Sequence, residues 1–76
     1  MSHRLPALKP QEVIRALERG GFLVHHTTGS HCALRHPGNP RLRVTVARHG
    51  KDLKRGTLSA ILKQAGLTTE QFLDLL

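Results

Sequence analysis

The stretch Thr27-Thr28-Gly29-Ser30-His31-Cys32-Ala33-Leu34 puts a single histidine directly after a Gly-Ser pair, at the head of a strand-like segment. Gly-Ser is turn chemistry, so His31 is expected at the mouth of a β-hairpin, with the hydroxyls of Thr28 and Ser30 beside it. RNA is cut without a metal when a base removes the 2′-hydroxyl proton, cations steady the crowded phosphorane and an acid protonates the departing 5′-oxygen. Histidine suits either proton-transfer role, because its ordinary pKa of about 6.5 keeps both protonation states populated near neutrality. On this reading His31 moves the proton and Ser30 and Thr28 hydrogen-bond a phosphate oxygen. Arg35, Arg43 or Lys51 holds the scissile phosphate. On the motif alone the bland alternative is the commoner outcome: a polar histidine flanking a turn, with no chemistry.

The other reactive residues divide in the same way. Six histidines and one cysteine invite a metal reading, with His25, His26, His31 and Cys32 close together. The spacings that preorganise zinc are missing, and adjacent strand residues such as His25 and His26 face apart, so no metal site and no cofactor are expected. His36 and His49 border basic loops and read as solvated or phosphate-contacting, with either a candidate for the second proton-transfer group. Cys32, flanked by apolar residues, reads as core. Lys51, Lys54 and Arg55 gather where a helix begins, and they bind phosphate or form a solvated face.

Those residues need elements to hold them. Pro10 suits the first position of a helix running to about Arg19, with Leu8 stapled against Val13. Val13, Ala16 and Leu17 are its buried stripe, and Gly20-Gly21 is its stop. Phe22-Leu23-Val24 reads as a first strand, in which Phe22 and Val24 share an inward face with His26. Inward Cys32 and Leu34 in the middle strand send His31, Ala33 and Arg35 outward, beside Arg43 and Thr45 of a third strand whose inward row is Leu42, Val44 and Val46. The segment from His36 to Pro40 is a turn, and Arg48 to Asp52 a basic loop. Leu58, Ile61, Leu62 and Ala65 mark a helix over about Arg55 to Ala65, ended by Gly66. Thr68 and Gln71 form a capping box for a last short helix that returns Phe72 and Leu75 to the core. The expected fold is α+β: one three-stranded antiparallel sheet with helices on one face.

A chain of 76 residues is one small domain, taken as 9–76 after a flexible leader at 1–8. Twelve Lys and Arg against 5 acidic residues give a formal charge of +7, which points first to nucleic acid, then to acidic protein or anionic membrane. Two Phe and no Tyr or Trp leave almost no platform for stacking unpaired bases, so phosphate and ribose contacts are the natural mode. A single cysteine excludes an intrachain disulfide and suits a reducing compartment. No apolar run approaches the ~20 residues of a membrane span, which leaves a cytoplasmic protein as the expectation.

Four landmarks in order, Gly21-Phe22, Gly29-Ser30-His31, Arg48-His49-Gly50-Lys51 and Gly56-Thr57-Leu58, with Ile61-Leu62-Lys63-Gln64-Ala65-Gly66 downstream, resemble the HicA family of small toxins. The resemblance covers about Lys9 to Phe72. It implies a double-stranded-RNA-binding-like α-β-β-β-α fold, metal-independent cleavage of mRNA, a catalytic histidine matching His31, and neutralisation by an acidic HicB-like antitoxin. The free toxin is then expected as a monomer or weak dimer. The rival reading is a non-catalytic double-stranded-RNA-binding module of the same fold. Leu34 stands where an aromatic residue is common in the family, and Ala47 where a proline often precedes the Arg-His pair. Neither departure touches Gly29-Ser30-His31.

Overall fold

Pro10 starts helix α1 (Pro10–Arg19), where its missing N–H is harmless, and the first turn is closed by Glu12, whose Oε1 accepts from the Lys9 N–H at 3.1 Å. Val13, Ile14, Ala16 and Leu17 recur at helical spacing and are all buried, and Leu8 packs into the same cluster as Val13, consistent with a hydrophobic staple. The computed structural model describes residues 5–48 and 50–76. Residues 1–4 of the expected leader lie outside them; Leu5 packs against the core, and the Leu8 carbonyl accepts from Leu53 N–H at 2.8 Å.

The chain leaves α1 through Gly20-Gly21. Gly21 holds φ +96°, and a Cβ there would come within 2.9 Å of the His36 ring, so both backbone and neighbour require glycine. Three strands follow, β1 (Leu23–Thr27), β2 (His31–His36) and β3 (Asn39–Ala47), in the antiparallel order β1-β2-β3. Helix α2 (Arg55–Ala65) ends at Gly66, which is left-handed at φ +69°, and the short α3 (Thr69–Leu73) begins at Thr68, whose hydroxyl accepts from Gln71 N–H at 3.1 Å. The layout is α-β-β-β-α with a further C-terminal turn of helix.

One face of the sheet is covered and the other is open. Cys32 and Leu34 of β2 and Val44 and Val46 of β3 are buried against Leu17 of α1, Leu58, Ile61 and Leu62 of α2 and Phe72 of α3. Phe72 is wholly buried, and truncating it to alanine would cost ~3–5 kcal/mol, a large share of what a domain this small possesses. The free edge of β3 is partly covered by α2, whose Gln64 Oε1 accepts from Thr45 N–H at 3.3 Å. Among the described residues no helix is long and apolar enough to cross a membrane.

The strand β1 departs from the expected pattern. Phe22 is buried but precedes the strand, and a bulge between Val24 and His26 breaks the alternation. Val24 pairs with inward Leu34 and Thr27 with inward Cys32, whereas His26 pairs with outward Ala33. His26 therefore lies on the face opposite Val24, not beside it, because the extra residue, His25, shifts the phase by one. At the sheet's edge even the inward Val24 stays 44% exposed. The turn between β2 and β3 is also tighter than composition suggests, since Asn39 and Pro40 already belong to β3.

Candidate active site

His31 opens β2 and is exposed, and its position is fixed by its neighbours in the hairpin rather than by burial. Thr28 does most of this. Its N–H donates to the His31 carbonyl at 2.8 Å, and its Oγ1 accepts from the His31 N–H at 3.0 Å, closing the hairpin with a side-chain oxygen. Gly29 does not need left-handed geometry here, and a Cβ on it would meet nothing within 4 Å. The Ser30 Oγ lies 3.0 Å from His31 Nδ1. A hydroxyl can donate or accept, so Ser30 serves either tautomer of the ring. When it accepts, Nδ1 carries the hydrogen and Nε2 the lone pair; when it donates, the reverse holds.

The strand register lays out the open face in three rows. His31 stands opposite Ala47 at the hairpin end, Ala33 lies between His26 and Thr45 in the middle, and Arg35 lies between Leu23 and Arg43 at the far end. His31, Ala33 and Arg35 face outward beside Arg43 and Thr45, as the alternation of β2 predicts. His31 and Arg35 are nevertheless four residues apart, about 13 Å at about 3.3 Å per residue. The arginine pair thus sits a phosphate or two away from the histidine rather than around the same phosphate. None of the three strands contains Asp or Glu; the 5 acidic residues are Glu12, Glu18, Asp52, Glu70 and Asp74, on helices and loops. The small Ala33, half-buried among larger side chains, leaves the centre of the face low.

At the hairpin end β3 runs directly into the basic loop. Arg48 N–H donates to the Ser30 carbonyl at 2.7 Å, so the segment leading to Lys51, Lys54 and Arg55 departs from beside His31. Lys51, Lys54 and Arg55 are exposed, with Lys54 preceding the first turn of α2. Arg48 is a contact that sequence reading passed over. It also lines, with Gln11, Ile14, Glu18, Val24, Thr27 and Cys32, a groove of about 170 Å³ on the covered side of the sheet. Its signal was its place immediately after the strand that pairs with His31.

The remaining histidines and Cys32 fall elsewhere. His36, expected to be solvated or phosphate-contacting, packs edge-on against Phe22 with ring centroids 5.1 Å apart, and its Nδ1 accepts from Gly38 N–H at 3.0 Å. It ends β2, five residues from His31, and its role is to hold the α1–β1 corner. His49 lies outside the described residues. Cys32 is buried on the inward face and so turned away from His31. Among the described residues no three His, Cys, Asp or Glu side chains converge on a point that could hold a metal ion.

No curated protein matches the chain. The family model described as the HicA toxin of bacterial toxin-antitoxin systems matches residues 10–67, from the first residue of α1 to just beyond α2. With that match spanning most of its 76 residues, the chain belongs to the HicA toxin family.

Proposed function

We propose that this toxin is an endoribonuclease that cuts mRNA in the cytoplasm without a metal, with His31 as the group that takes the 2′-hydroxyl proton. The observation that carries the reading is the 3.0 Å contact between Ser30 Oγ and His31 Nδ1 at the end of an open sheet face whose strands have no carboxylate. With Ser30 accepting from Nδ1, the lone pair of Nε2 is directed at the substrate. The 2′-oxygen then attacks phosphorus, and the 5′-oxygen leaves. Arg35 and Arg43 at one end of the face and Lys51, Lys54 and Arg55 at the other hold the chain by its phosphates, which gives affinity with little base preference. A protein of this kind threatens its own cell. Its partner is an acidic, HicB-like antitoxin that covers the open face and replaces RNA phosphates with carboxylates, and the free toxin is a monomer or weak dimer.

The test is incubation of the pure protein and its His31→Ala variant with RNA in excess chelator, scored for cut ends. Wild type is expected to leave 2′,3′-cyclic phosphate or 3′-phosphate ends. The variant should lose at least the ~10²–10⁴-fold that a proton-transfer group supplies, with its thermal stability nearly unchanged. Cleavage that stops with EDTA and returns with a divalent ion refutes the metal-independent mechanism. Cleavage by the variant at the wild-type rate removes His31 from the chemistry. RNA binding without any cleavage would leave a non-catalytic binding module.

A further inference from the structure

We propose that His26 is the general acid of this site, protonating the 5′-oxygen that leaves when His31 acts as base. The inference rests on the ribonuclease reading and adds the second proton-transfer group that such a reaction requires. Its basis is the bulge at His25. Val24 and Thr27 lie on the covered side, where both line the groove with Cys32, and His26 pairs with outward Ala33. In a regular strand His26, two residues on from Val24, would share the covered side with it. Bulges of this kind re-aim a side chain and are frequent beside active sites.

On the open face His26 and His31 are diagonal neighbours. His26 is opposite Ala33, and His31 is the next outward residue of β2 toward the hairpin. Diagonal positions on an antiparallel pair lie about 7–8 Å apart, within reach of ring side chains. That spacing suits the reaction. The attacking 2′-oxygen and the departing 5′-oxygen lie on opposite sides of phosphorus, and each must come within about 2.6–3.2 Å of its proton-transfer nitrogen, so base and acid must stand apart with the phosphate between them. The low centre of the face at Ala33 adjoins both positions, opposite His26 and two residues from His31. The charged groups sharing the face are Arg35, Arg43 and, two residues before it in β3, the exposed Arg41; no carboxylate is present on any of the three strands. His36 cannot take this role, being packed on Phe22 at the other end of β2.

His31 Nε2 takes the 2′-hydroxyl proton, the 2′-oxygen forms a bond to phosphorus, the P–O5′ bond breaks, and the His26 imidazolium gives its proton to the 5′-oxygen. The products are a 2′,3′-cyclic phosphate and a 5′-hydroxyl. In hydrolysis the roles reverse. His26 takes a proton from water, the new P–O bond displaces the 2′-oxygen, and His31 returns its proton there.

The test uses a leaving group that needs no acid. At the position where the wild-type protein cuts, one RNA keeps the bridging 5′-oxygen and a second carries sulfur there, which departs as the thiolate. His26→Ala and His26→Gln should both cut the oxygen RNA ~10²–10⁴-fold more slowly than wild type and cut the sulfur RNA at close to the wild-type rate. His31→Ala should fail on both. His26 variants that cut the oxygen RNA normally, or that are equally slow on both, would overturn the assignment while leaving the role of His31 standing. A wild-type protein that cuts neither RNA would overturn the ribonuclease reading and this inference with it.

Discussion

Replacing Arg35 and Arg43 together with glutamine should weaken RNA binding and at the same time stabilise the fold. The two arginines face each other across β2 and β3, both exposed, and neither side chain has a hydrogen-bond or ion-pair partner among the described residues. Like charges directly opposed across strands cost roughly 0.2–1 kcal/mol. Relief of about 0.5 kcal/mol would raise Tm by about 2–4 °C in a domain of this size. Binding moves the other way. Each phosphate contact contributes about 0.7 to the slope of log affinity against log salt on single-stranded RNA, so two lost contacts flatten the slope by about 1.4. The variant should then bind roughly 25-fold more weakly near 0.1 M salt, with the difference closing toward 1 M. Fluorescence anisotropy across a salt series, in a His31→Ala background that prevents cleavage, reads the slope, and a thermal melt reads the stability. A fall in Tm would show that the arginines stabilise the fold through contacts. A binding defect that persists undiminished at 1 M salt would show that they do not grip phosphate.

Three further outcomes are expected. Gly21→Ala should lower stability by roughly 1–3 kcal/mol, from the strained backbone and the collision with His36, while Gly29→Ala should be neutral or slightly stabilising; denaturant melts compare the two. Replacing Lys51, Lys54 and Arg55 with glutamine should weaken RNA binding about equally across sequences and flatten its salt slope, and a changed sequence preference with an unchanged slope would contradict phosphate contact there. Association with an acidic antitoxin should slow as salt rises, and Arg35→Glu with Arg43→Glu should weaken the complex markedly. Hydrogen exchange with no protection around residues 30–45 in that complex would exclude direct cover of the face.

Period two read β2 and β3 correctly because their inward rows, Cys32 with Leu34 and Val44 with Val46, are pressed against helices that leave only one register able to bury them. The helices were legible for the same reason, with capping residues at Thr68 and Gly66 marking their ends. In β1 that constraint is absent. All five residues of the strand are exposed, and its polar half, His25-His26-Thr27, has no apolar member whose burial would fix the phase. A bulge there costs no core contact, so hydrophobic patterning carries no trace of it, and the face of His26 could only be seen once strand pairing was known. The packing of His36 on Phe22 was hidden differently, since it joins residues 14 apart at a corner where Gly21 takes a positive φ. In both places the contact depends on how strands register, not on local propensity. The setting of His31 was legible because its contacts are local: Thr28 and Ser30, whose hydroxyls meet its backbone N–H and its ring, are its own neighbours in the hairpin. A one-histidine site can be found from a motif of that kind. The second histidine proposed for it, brought round by a bulge in an edge strand, needs the register of the sheet.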